Sequence, residues 1–218
     1  MKLCKHESDN IVEFKEEYSD KDLQKSEPLP EKKCHFPYGI PKAYIDCSFD
    51  NFNGNQKLIK DLTSLSSMAK NIVLRGNTGC GKTHLAIAIS KLIPVQSHDS
   101  WMTIIPGAIF TTAPELLLKI RSSFREGAKE TEEQLIDYYS GCDLLILDDL
   151  GAEKNSEFAI TTLYIIIDRR IREEKQTIIT TNLSQQEIDQ VFGARISSRL
   201  SSMQNIKINM PDYRKNRR

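Results

Sequence analysis

From Asn71 onward the chain alternates short runs of β-branched and aliphatic residues with longer stretches whose apolar positions recur every three to four residues. Strands buried on both faces read as continuous apolar runs, and parallel neighbours need a crossover between them, so this alternation predicts a parallel sheet covered by helices. Strands are predicted over Ile72–Arg75, Ala108–Thr111, Leu144–Leu147, Thr177–Thr181 and Ile206–Asn209. Helices are predicted over Lys82–Lys91, Pro114–Phe124 with Thr112 as cap, Thr131–Tyr139, Phe158–Glu174, Gln185–Phe192 and Ala194–Ser201. Residues 94–107 follow neither period and are expected to form a surface connection.

The first forty residues are different in kind. They alternate acid and base, hold Pro28, Pro30 and Pro37, and sustain no apolar periodicity. Residues 1–39 are therefore expected to be a weakly folded arm and a candidate partner-binding segment, with a compact domain over 40–218. A length of 218 residues suits one α/β domain with such an appendage.

Three features of that domain carry chemistry. Gly76-Asn77-Thr78-Gly79-Cys80-Gly81-Lys82-Thr83 matches the G-x-x-x-x-G-K-[ST] pattern, after a predicted strand and before a predicted helix. Glycines let the main-chain N–H groups turn towards a phosphate at a helix N-terminus, where the dipole already favours an anion. Lys82 would reach the β- and γ-phosphates, Thr83 would ligate Mg²⁺, and His84 borders the same nucleotide site.

Asp143–Asp149 reads as an apolar strand closing on two carboxylates, expected next to the phosphate-loop strand. Asp148 would hold the Mg²⁺ and Asp149 would orient the attacking water; their bland alternative is a solvated turn at Asp149-Leu150-Gly151. Asp149 is one methylene shorter than a glutamate base, so slow, switch-like hydrolysis is expected.

Thr177–Asn182 is a further buried strand, expected beside the acidic one. Asn182 would touch the γ-phosphate or the water, or else merely open the turn before Ser184. Arg195 and Arg199 lie at i and i+4 on one helix face, read either as an arginine finger (Arg199, supported by Arg195) given to a neighbouring subunit's ATP or as two solvated cations.

Composition narrows the picture further. Thirty basic residues balance thirty acidic ones, so there is no global basic field and any DNA contact must be local, as at Arg214-Lys215-Asn216-Arg217-Arg218. No apolar stretch could span a membrane or act as a secretory core. Five scattered cysteines read as reduced thiols, and a cytoplasmic protein without membrane contact is expected. Cys4, His6, Cys34 and His35 have poor spacing for zinc.

Taken together the residues resemble the DnaC/IstB branch of AAA+ proteins, related to the replication initiator DnaA. The resemblance spans about residues 40–214. It rests on Ile40-Pro41-Lys42-Ala43-Tyr44, Ser48-Phe49-Asp50-Asn51-Phe52, Gly81-Lys82-Thr83-His84-Leu85-Ala86, Leu147–Glu153, Thr180-Thr181-Asn182-Leu183, the Arg195/Arg199 pair and Asp212-Tyr213-Arg214.

The resemblance implies a three-layer α-β-α sandwich, a P-loop NTPase of the AAA+ type with a five-stranded parallel sheet and a helical lid that is absent or minimal. It implies ATP and Mg²⁺, with Phe49 and Phe52 bordering the adenine, Asn182 as first sensor and Arg199 as intersubunit finger. It also implies assembly into a homo-oligomer on ATP and single-stranded DNA, with Lys119, Arg121, Arg125 and Lys129 available to that DNA, and a replicative helicase as partner. The expected function is helicase loading. The alternatives are an IstB-like ATPase assisting a transposase, a small-molecule kinase and a non-hydrolysing ATP adaptor.

Overall fold

A computed structural model describes residues 37–54, 56–66, 71–99, 104–152 and 156–213. The arm up to Phe36, its Cys and His residues and the basic C-terminal run lie outside the described residues. After a 3-10 turn at Lys42–Tyr44 come helices α1 (Gln56–Ser66), α2 (Lys82–Ser90), α3 (Ala113–Ser122), α4 (Glu132–Gly141), α5 (Glu157–Arg172) and α6 (Gln185–Ser201). The strands are β1 (Asn71–Gly76), β2 (His98–Asp99), β3 (Ile104–Ile105), β4 (Ala108–Thr112), β5 (Leu144–Leu150), β6 (Gln176–Thr181) and β7 (Gln204–Ile208).

The main sheet has the order β4-β5-β6-β1-β7 with every neighbouring pair parallel. All five expected strands form, and the acidic one runs on to Leu150 so that it carries both aspartates. One expectation is corrected: β5 does not adjoin the phosphate-loop strand β1, because β6 lies between them. The acidic residues still reach the loop because parallel strands end at the same edge of the sheet.

Side-chain alternation along the strands divides the core in two. Leu145 and Leu147 pack with α3 to α6 through Leu116, Leu135, Leu163 and Ile196. Leu144 and Ile146 face the opposite way, towards Leu62 of α1, Leu85 of α2 and the 40–52 segment. Each of these four β5 side chains is fully buried and contributes about 1.5–3 kcal/mol. The result is a sheet between two helical layers.

Local signals set the helix starts. Thr112 with Glu115, Thr131 with Gln134 and Ser184 with Glu187 form reciprocal capping boxes, each satisfying two otherwise orphaned main-chain N–H groups. The two expected late helices run together as α6, broken only at Gly193 (φ 78°, ψ 170°).

Two segments depart from expectation. Within 94–107, β2 and β3 pair antiparallel and Ile105 is buried, so part of the connection belongs to the core. Near the proposed domain start, Tyr38 bridges to Ile109 on the outer edge of β4, and its N–H donates to the Ala108 carbonyl at 2.8 Å.

Candidate nucleotide site

The C-terminal ends of β1, β5 and β6 meet the N-terminus of α2, where helical N–H groups point outward. The phosphate loop is built by close approach: a Cβ at Gly81 (φ 92°) would lie 2.6 Å from the Phe52 ring, and one at Gly79 (φ 74°) would lie 1.8 Å from Asp212 Oδ1. Cys80 is fully buried in the core behind the loop. Lys82 Nζ donates to the Gly76 and Asn77 carbonyls at 3.0 Å each and to Asn182 Oδ1. The ammonium is thus held over the loop by three oxygens, one of them from Asn182, the residue that follows strand β6.

Asp148 is 4% exposed, and burial pushes its carboxyl pKa up. Its partners are hydroxyls: Thr83 Oγ1 lies 3.0 Å from both carboxylate oxygens, and Thr180 Oγ1 donates to Oδ1 at 2.6 Å. A buried carboxylate touching a hydroxyl at the phosphate loop is a hard-oxygen donor pair that suits a small divalent cation. The β5–β6 register slips between Leu147 and Leu150, and Asp149 takes a left-handed conformation (φ 54°) that aspartate tolerates better than most residues. Its N–H donates to Thr180 Oγ1 at 3.0 Å, and its side chain is exposed on the cavity wall.

Asp148 and Thr180 lie behind the wall of a cavity of about 950 Å³, lined by Thr78, Gly79, Gly81, Lys82, Thr83 and His84 of the loop, with Asp149 and Asn182 at the neighbouring strand ends. Its other wall comes from Ala43, Tyr44, Asp46, Cys47 and Asn51–Asn53, together with Tyr213. His84 Nε2 is 2.8 Å from the Ser48 carbonyl, which can only accept, so Nε2 carries the proton and ties this wall to α2. Phe52 lies beside His84 with ring centroids 5.2 Å apart. Phe49, expected at the adenine, instead packs against the core cluster under the wall and does not line the cavity.

The family of IstB-like ATP binding proteins matches residues 15–202, most of the chain. This chain belongs to that family. The IstB-like chain is 26% identical over 203 residues to the replicative helicase loader DnaC of Buchnera aphidicola subsp. Baizongia pistaciae, across 88% of itself and 79% of that relative. It is 25% identical over 170 residues to DnaC of Escherichia coli K12, across 74% of itself and 66% of that relative, just under two thirds of its length.

A crystal structure of the DnaC helicase loader superposes with a TM-score of 0.63 at 22% identity, across 78% of this chain and 100% of the other. AMPPCP-bound DnaA from Aquifex aeolicus gives 0.62 at 21% identity, across 81% and 53%. The fold of this IstB-like chain is the AAA+ P-loop fold.

The arginine pair of the IstB-like chain sits apart from the cavity. Arg195 is exposed, whereas Arg199 Nε donates to Asp168 Oδ1 at 2.6 Å and its guanidinium lies 4.5 Å above the Tyr164 ring, donating to the Tyr164 hydroxyl at 2.9 Å. Neither arginine lines this chain's own cavity. Of the four cations expected to face DNA, Lys119 pairs with Glu130 and Arg121 lies over the Phe158 ring at 5.1 Å. Thr180, fully buried on β6, was not foreseen as a site residue, although Thr180-Thr181-Asn182-Leu183 is one of the runs that carry the resemblance.

Proposed function

We propose that this protein is a DNA-replication ATPase that loads a replicative helicase onto single-stranded DNA. The observation that carries the reading is the convergence of Lys82, Thr83, Asp148, Asp149 and Asn182 at one sheet edge. The relatives named as helicase loaders support the choice among ATPase roles.

In this reading Thr83 and Asp148 would hold Mg²⁺, which would supply positive charge against the triphosphate. Lys82 exchanges the Gly76, Asn77 and Asn182 oxygens for phosphate oxygens, and the freed Asn182 amide orients the attacking water with Asp149. Asp149 accepts the water's proton from a short side chain, and hydrolysis is slow until an assembly forms. Arg199 then serves the ATP of a neighbouring copy on single-stranded DNA, and residues 1–39 contact the helicase. The protein acts in the cytoplasm.

A second reading, an ATPase that assists a transposase, is equally compatible with a match to IstB-like ATP binding proteins.

The test is the ATPase rate of the full chain with and without single-stranded DNA, followed by helicase capture from purified components. Lys82→Ala is the blank, expected to weaken ATP binding about a hundredfold by removing a charged donor from the phosphates. A rate that rises with DNA and protein concentration, with helicase retained, supports loading; retention of a transposase in its place supports the second reading. A rate indifferent to both DNA and concentration sinks both readings in favour of an adaptor or a kinase.

A further inference from the structure

The helix that carries Arg195 and Arg199 is broken. Gly193 (φ 78°, ψ 170°) separates a first half of α6, starting at Gln185, from a second half that holds both arginines. Twelve residues along an unbroken helix span about 18 Å, yet Gln185 Nε2 donates to the Ser197 carbonyl at 3.2 Å and to its hydroxyl at 2.7 Å. The break therefore folds the second half back against the start of the first. Buried Ser197 lies between the two arginines in sequence. At its other end the same amide accepts through Oε1 from the Arg75 guanidinium, and among the described residues it is the only hydrogen-bond acceptor of Arg75, whose Nε is buried without a partner. Arg75 directly precedes Gly76, whose carbonyl accepts from Lys82, and Gln185 follows shortly after Asn182, which accepts from the same ammonium.

We propose that Gln185 is a positioning residue: through one amide it ties the arginine-bearing half of α6 to the strand end under the phosphate loop, and so fixes where Arg199 stands for a neighbouring copy's ATP. The inference rests on the reading of Arg199 given above. Ile196 and Leu200 bury the apolar side of this half-helix, but apolar contact is non-directional and does not set its rotation beyond a glycine break. The amide is directional, with its donor side on Ser197 and its acceptor side on Arg75. Asp168 and Tyr164 hold the Arg199 guanidinium, not the helix that presents it. Gln185 does not line the cavity, so it acts on the reaction through α6 alone.

The experiment measures ATP binding without DNA by calorimetry, and phosphate release with single-stranded DNA, for the full wild-type chain, Gln185→Met, Ser197→Ala and Arg199→Ala, with thermal melting to establish folding. Gln185→Met removes both ends of the link at similar volume. It is expected to bind ATP within about twofold of the wild type and to lose about tenfold in DNA-stimulated kcat at unchanged KM, because the contact it supports is made in the transition state. Ser197→Ala removes one of two acceptors and is expected to lose about threefold in the same quantity; it carries the test if Gln185→Met does not fold. The Gln185→Met protein is then mixed with Asp149→Asn, which keeps α6 intact but lacks the water-orienting carboxylate. Its α6 beside a Gln185→Met site should raise the stimulated rate about threefold, a rescue that no fault in the Gln185→Met nucleotide site allows. No rescue, or a tenfold loss of ATP affinity in Gln185→Met, overturns the proposal. Normal stimulation in Gln185→Met and Ser197→Ala, with stimulation lost in Arg199→Ala, overturns it alone and leaves the role of Arg199 standing. Normal stimulation in Arg199→Ala, or a wild-type chain indifferent to DNA, overturns the reading of Arg199 and this inference with it.

Discussion

Two charged side chains are buried at opposite ends of β5, and the protein treats them in opposite ways. At the N-terminal end, Arg170 of α5 is fully buried. Its Nε donates to Thr177 Oγ1 at 3.0 Å, and its guanidinium donates to the carbonyls of Tyr139, Ser140 and Cys142 at 2.8–3.0 Å and to that of Gln176. No carboxylate is among these partners. The acceptors are main-chain oxygens left over at the end of α4 and the entries of β5 and β6, so the arginine satisfies groups that helix and sheet cannot satisfy themselves.

At the other end, Asp148 accepts from Thr83 and Thr180 alone among the described residues, with lone pairs to spare behind the cavity wall. The contrast separates a closed charge, whose bonding capacity is consumed in holding three elements together, from an open one that keeps acceptor capacity unused among the described residues.

Mutating the two ends should therefore move different quantities. Arg170→Met removes every donor and leaves several buried carbonyls unpaired, at a cost of about 3–5 kcal/mol, or about 10 °C in Tm, read by thermal or urea unfolding. A loss below about 1 kcal/mol would mean that water replaces the guanidinium and that the closed site is not closed. Asp148→Asn keeps the shape and can still accept from Thr180, so unfolding free energy should change by no more than about 2 kcal/mol while ATP hydrolysis falls about a hundredfold. Equal destabilisation by the two variants would erase the distinction.

Sequence reading found the open end and missed the closed one, for a physical reason. Lys82 and Thr83 sit in the fixed spacing of the phosphate-loop pattern, and Asp148 and Asn182 each close an apolar strand run, so these signals are local in the sequence. Arg170 sits in Asp168-Arg169-Arg170 on a helix with charged neighbours, and only the packing of α4, β5 and β6 distinguishes it from a solvated cation. Strands β1, β4 and β5 were legible because burial on both faces gives each a continuous apolar run, whereas the edge strand β7 is mostly exposed and polar. Helix α1 went unread although Leu58, Leu62 and Leu65 recur at helical spacing, and fully buried Leu62 joins the core. Phe49 and Phe52 sit three residues apart in one polar stretch, so periodicity could not tell which ring reaches the cavity and which supports the wall.

Arg199 stands between the two extremes and sharpens the comparison most finely. Its side chain is 28% exposed, and its ion pair is with Asp168, which also holds Arg172 at 3.0 Å. Exposure screens that pair, so Arg199→Ala should cost no more than about 1 kcal/mol, the smallest stability change of the three. If Asp168 and Tyr164 only park the guanidinium until a neighbouring copy's ATP arrives, the same variant should bind ATP as the wild-type monomer does and yet lose DNA-stimulated hydrolysis. Both readouts come from one preparation, by calorimetry without DNA and by phosphate release with it. Normal stimulated hydrolysis would return Arg199 to the class of Arg170, a charge whose partners are all its own chain's. Loss of stimulation with ATP affinity intact would instead mark it as an open charge like Asp148, with its ligand on another copy.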